Sequence, residues 1–153
     1  MADPFSIAAG VVGVVIPALH ATRLLLDDLQ KISEAPSALE TLGQDVGFVE
    51  ATLKSLQTVS EPQWTAIGTT VVEQSSQAIT CCTKSCTEFR TDLQRWTRHS
   101  HEGDISWWDR ASLGLFRQDQ IKAMSEQLQK YRTTLNLVVS TATLYVSILF
   151  LKR

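Results

Sequence analysis

The chain has 153 residues, a formal net charge of -2 and 20% charged residues. That length fits one domain with a sizeable core, and the charge gives no global reason to expect a nucleic-acid partner. Charge is unevenly spread: up to Ser75 nine acids stand against Arg23, Lys31 and Lys54, and after it seven acids stand against eleven bases. The basic second half reads as a solvated helix face opposed to an acidic one, or as a surface for anionic lipid headgroups.

Pro and Gly are rare, strand-type alternation is absent and spacings of three and four recur, so the elements are helices. The first is expected from Pro4 to about Ile32. Asp3 supplies a cap oxygen, and Pro4 loses no hydrogen bond at the first helical position. Between Asp3 and Arg23 there is no formal charge apart from His20. A helix that is apolar nearly all round must be wrapped by neighbours or placed in lipid. Its head is acidic where a secretory signal needs a basic one. Gly10, Gly13, Pro17 and His20 dilute it as a membrane span, which needs about 20 apolar residues. Two compatible readings follow: a central, buried helix, and a helix buried in one state and inserted into lipid in another. Gly10 and Gly13 are expected at a close helix contact, where Gly13→Leu would overpack. Pro17 is expected to bend the helix.

After a turn at Ser33-Glu34-Ala35-Pro36, a second helix runs from near Pro36 to near Val59. Leu39, Leu42, Val46, Val49, Leu53 and Leu56 form its stripe, and Gly43 and Gly47 offer a second close contact. Ser60-Glu61-Pro62 reads as a cap and proline start. A long third helix is expected from about Pro62 to His99, with the stripe Trp64, Ile67, Val71, Ala78, Cys82, Phe89, Leu93 and Trp96. Its polar middle, Thr69 to Thr87, is a place where it can break.

His99 to Gly103 reads as a loop and Asp104 to Arg110 as a short element. Leu113-Gly114-Leu115-Phe116 closes that element. Trp107 and Trp108 are adjacent and cannot both face one core, so they are the expected oligomer interface. The last helix carries Ile121, Met124, Leu128, Tyr131, Leu135, Val138, Ala142 and Tyr145. From Thr133 to Leu151 it has no charge, then meets Lys152 and Arg153. Asn136, Ser140, Thr141, Thr143 and Ser147 make it a poor span and a good buried helix.

Cys81, Cys82 and Cys86 are odd in number and lie in a helical pattern, so reduced thiols in the cytosol are expected. On one helix Cys82 and His99 would lie about 25 Å apart at 1.5 Å per residue, too far to share a metal. No phosphate-cradling glycine loop, acid–base pair on a recognisable scaffold or Ser-His-Asp signature is present. No enzyme, no cofactor and no metal are expected.

Met1-Ala2-Asp3-Pro4-Phe5-Ser6-Ile7-Ala8-Ala9-Gly10-Val11-Val12-Gly13 resembles the opening of the fungal N-terminal domain of STAND, or NOD-like, receptors, a group related to HeLo-like domains. Tyr131-Arg132-Thr133-Thr134-Leu135-Asn136-Leu137-Val138 is similar to that family's late segment. Trp107-Trp108 and the stretch from Phe116 to Ile121 sit where the family has a Trp, a basic stretch and its last long helix. The resemblance spans almost the whole chain. It implies one HeLo-like domain over residues 1–153: an all-α, compact bundle of four to five helices with a central apolar N-terminal helix. It also implies a signalling or effector module of a cell-death (incompatibility) system that oligomerises and targets membranes. Some stand-alone relatives belong to fungal pigment gene clusters. Lytic relatives often carry an acid within the first helix, and here none follows Asp3 before Asp27.

The expected membrane-active residues are Phe5, Ile7, Val11, Val12, Val14, Val15 and Ile16. Arg90, Arg95, Arg98, Lys122, Lys130 and Arg132 are expected to meet headgroups. The expected partners are a second copy of the chain, a NOD-like receptor partner or C-terminal receptor domains, and anionic lipids. The expected location is the cytoplasm, with relocation to the plasma membrane on activation. The alternatives are a soluble assembly scaffold without membrane activity and a stand-alone accessory protein of a secondary-metabolite cluster.

Overall fold

The computed structural model describes residues 4–32, 37–96 and 111–152, with side chains from residue 7 in the first stretch and from residue 118 in the last. Five helices are present: α1 (Pro4–Gln30), α2 (Ser37–Leu56), α3 (Glu61–Ile67), α4 (Thr69–Trp96) and α5 (Ala111–Leu151). The fold is an all-α bundle with an apolar first helix, and there is no strand among the described residues.

Packing follows the stripes. α2 buries Leu39, Leu42, Val46, Val49, Leu53 and Leu56, all six of the expected positions. Neighbouring pairs are α1 with α2, α2 with α5, α5 with α4 and α4 with α1, and the short α3 packs on α1, α4 and α5. The four long helices thus make a closed ring. Among the described residues α1 and α5 are not in contact, so they stand diagonally opposite.

That placement settles which side of α1 is covered. Val11, Val15, Ala18, Ala21, Leu25 and Leu29 point inward, again at spacings of three and four. Gly10, Gly13, Pro17 and His20 form an open side, joined by Ile16, which is 56% exposed. α1 is therefore one wall of the ring with a bare side, not a helix wrapped all round. The expected close contacts at glycine are corrected on the same ground: a Cβ added at Gly10, Gly13, Gly43 or Gly47 would meet nothing within 4 Å.

The expected third helix is two helices. Gly68 sits between them at φ 101°, a conformation that glycine adopts without Cβ strain. Its N–H donates to Trp64 O at 3.4 Å, while its own carbonyl accepts from Val72 N–H at 3.1 Å and starts α4. This break comes just before the polar stretch, not within it, and it resets the helical phase. Val72, Ser75, Ile79, Cys82, Cys86, Phe89 and Leu93 are buried, whereas Val71 is exposed. Ser75 fits this apolar line because its hydroxyl donates to Val71 O at 2.7 Å. The α3 start follows expectation: Gln63 Oε1 accepts from Ser60 N–H at 2.7 Å and from Ser60 Oγ at 2.9 Å.

α5 is helical from Ala111 through Gly114, so Leu113 to Phe116 does not close a separate element. Ile121, Met124, Leu128, Leu135, Val138 and Ala142 are buried as expected. Beyond Ala142 the expectation of a buried helix fails. Leu144, Val146, Ile148, Leu149, Phe150 and Leu151 are all exposed. The turn 33–36, the loop 99–103 and the short element 104–110, with Trp107 and Trp108, lie outside the described residues.

Because the Gly13 site is open, replacing it should help the helix, not crowd it. Gly13→Ala is expected to raise the unfolding free energy by about 0.5–1 kcal/mol, read from urea denaturation. A loss of stability would mean that this side of α1 is covered after all.

Candidate functional site at one end of the bundle

α3 is the element that brings the two ends of the chain together. It is seven residues long, too short to be stable alone, and is anchored by Trp64, which is 1% exposed. On one side of it the Glu61 carboxylate accepts a hydrogen bond from Ala8 N–H in α1 at 3.0 Å. A negative charge beside the start of α1 is also favoured by the helix dipole. On the other side the Gln63 amide Nε2 donates to Ala142 O in α5 at 3.1 Å. The second oxygen of Glu61, Oε1, is buried without a hydrogen-bond partner. The apolar start of α1 and the exposed end of α5 therefore share one end of the bundle.

The polar ties that hold α1 differ from those that hold α5. α1 is tied by charged groups: Glu61 to Ala8, Arg23 to Glu50 at 3.3 Å and Arg90 to Asp28 at 2.8 Å. Arg23 is mostly exposed, which makes its pair weak and salt-sensitive. α5 is tied mainly by hydroxyls and amides. Ser125 Oγ donates to Asp45 at 2.8 Å, Tyr131 and Ser85 share a bond of 3.0 Å, and Thr52 Oγ1 donates to Asn136 at 3.4 Å. Burial pushes the Tyr131 phenol up, and the bond to Ser85 pulls it partly back. Tyr131 thus stays a neutral, bonded phenol at the α4–α5 contact.

The seven expected membrane-active residues do not share a face. Val11 and Val15 lie in the core, Ile7, Val12 and Val14 are half-buried, and Ile16 is exposed. The Phe5 side chain lies outside the described residues, as do the oligomer-interface residues Trp107 and Trp108. The expected basic surface is also divided. Arg90 and Arg95 are paired with acids, Arg132 stacks over the Phe48 ring at 4.1 Å, and Lys122 and Lys130 are exposed. Arg98 is outside the described residues.

Cys82 and Cys86 are buried side by side in the core, and only Cys81 reaches the surface. The neighbouring Cys82 and burial push the Cys86 thiol far up, which disfavours its thiolate. Among the described residues no three metal-ligating side chains cluster. A cleft of about 650 Å³ lies between the end of α1 and the start of α2, lined by Leu26, Leu29, Ile32, Leu39, Gly43 and Gly47 among others.

Sequence reasoning missed the apolar end of α5. Its hydroxyl residues read as marks of burial, but three of them bond within their own helix: Thr141 to Leu137 O, Thr143 to Val139 O and Ser147 to Thr143 O. The available signal was the uncharged run into Leu151. Two stretches, Ile7–Gln30 and Gln118–Leu151, are long and apolar enough to cross a membrane, a test that soluble core helices also pass. In an 18-residue apolar window of each, 33% and 17% of the residues are buried.

If Glu61 holds down the start of α1, Glu61→Ala should lower stability by about 1–2 kcal/mol in urea denaturation. Glu61→Gln, which keeps an acceptor oxygen, should lose less. Equal stability for Glu61→Ala and wild type would remove the tether.

The model of the pigment biosynthesis cluster protein PigL N-terminal family matches residues 2–150. No curated protein and no solved structure matches the chain. With nearly its whole length matched, the chain belongs to the family of pigment biosynthesis cluster protein PigL N-terminal domains.

Proposed function

We propose that this domain is a non-enzymatic signalling module that works by oligomerisation, followed by transfer of the start of α1 from the bundle to a membrane. The observation that carries the reading is the one-sided packing of α1. Among the described residues α5 does not touch α1, but it packs on α2, α3 and α4. When α1 leaves, those three contacts persist, so release of α1 need not unfold the rest. The bare side of α1 lowers what must be broken, and its most exposed tie, Arg23 to Glu50, adds little.

Something has to drive that release, since a partner shifts an equilibrium only by its differential affinity for the two states. Clustering is the proposed driver, through Trp107 and Trp108 and a second copy of the chain or a NOD-like receptor partner. In this reading the domain is the N-terminal effector of a fungal cell-death or innate-immunity system, cytoplasmic at rest and moved to the plasma membrane when clustered. A second reading, an accessory protein of a secondary-metabolite cluster that takes a small molecule, is favoured by the family's name and by the cleft beside Gly43 and Gly47.

The test is fusion to an oligomerising tag and release of dye from anionic liposomes. The clustered wild type is expected to cause leakage. Ile16→Asp is expected to cut it about tenfold or more, as a charge is placed in the inserting segment. Ile16 is exposed in the bundle, so this variant keeps its fold, checked by melting. Intact liposomes with clustered, folded wild type would return the function to soluble assembly.

A further inference from the structure

We propose that the end of α5, Leu144 to Leu151, is a separate lipid-contacting element that docks the α3 end of the bundle on an anionic bilayer surface. The proposal shares its lipid target with the reading above but uses a different helix.

The first observation is the distribution of exposed apolar side chains. Leu144 is 60% exposed, Phe150 74% and Leu151 86%, with Val146, Ile148 and Leu149 also open. Successive helical residues are about 100° apart, so these side chains point in every direction around the axis. A second copy or a partner helix covers one stripe. A fluid apolar medium covers them all.

The second observation is the state of the polar groups. Thr141, Thr143 and Ser147 each donate to a carbonyl of the preceding turn, at 2.7, 2.9 and 3.1 Å. Hydroxyls bonded in this way bring no unpaired donor into hydrocarbon. No charge occurs from Thr133 to Leu151, and Lys152 and Arg153 follow at once. A cation at the end of an apolar helix matches an anionic headgroup layer, which the long Lys stem can reach from below.

The geometry suits the interface, not a span. The exposed stretch is about 12 Å long at 1.5 Å per residue. Lying obliquely, it fits the depth of about 5–10 Å that interfacial helices reach. Through Gln63 and Glu61, α3 links the docked end of α5 to the start of α1 at the same end of the bundle. Docking would therefore bring the first turns of α1 to the lipid surface before any release.

The experiment uses the unclustered protein and co-sedimentation with vesicles of phosphatidylcholine alone or with phosphatidylserine. Wild type is expected to bind the phosphatidylserine vesicles, less so as salt rises. Leu149→Asp with Phe150→Asp should weaken binding by about tenfold or more, and Lys152→Glu should weaken it on phosphatidylserine alone. Ile16→Asp, which lies on α1, should bind like wild type even though its clustered form no longer leaks. Equal binding by wild type and the double variant, or no binding by wild type, overturns the proposal. So does a lipid-free dimer that the double variant abolishes in sedimentation velocity, because the occupant is then a second copy.

Discussion

The contact on which the rest depends is made by α3. Seven residues hold the first turns of α1 through Glu61 and the last covered turn of α5 through Gln63, with Trp64 sunk between them. Gly68 allows this wedge, because its positive φ, which glycine adopts without Cβ strain, ends α3 and lets α4 start anew. The wedge is what links the apolar start of α1 to the covered turn before the bare end of α5, two helices that do not touch each other among the described residues.

The ring of long helices gives the two ends different freedoms. α5 packs on three helices and α1 also on three, but only α5 is tied mainly by neutral hydrogen bonds through its middle. The α1 ties depend on carboxylates and partly exposed partners. Stability in a helical bundle comes chiefly from buried apolar stripes. Breaking the α1 stripe from Val11 to Leu29 is then the main cost of releasing α1, with the polar ties a smaller addition. Clustering has to supply that cost, which is why the isolated domain is expected to keep α1 in place.

Much of this fold is legible from periodicity. The α2 stripe is read without error because it meets two neighbours, α1 and α5, along one continuous face. The break at Gly68 is harder to see, since Val71 and Val72 both offer an apolar residue and only the turn decides which faces in. The openness of Gly13 is invisible in sequence, because a small residue fits an exposed side and a close contact equally well. The α5 end misleads for a chemical reason. Ser and Thr count as polar by composition, yet their hydroxyls are satisfied within the helix and leave its surface apolar. The expected lipid residues of α1 are recognisable as a set, whereas their division between core and surface depends on which neighbours are present.

The central claim is that α1 separates from the bundle while the other helices stay packed. Native-state hydrogen exchange in low denaturant measures this directly. The account predicts that α1 amides from Val11 to Leu25 exchange through an opening that costs less than global unfolding and exposes less surface. Amides of α5 from Ile121 to Val138 should exchange only with global unfolding. If α1 and α5 share one opening free energy and one denaturant dependence, α1 does not separate, and the account is contradicted.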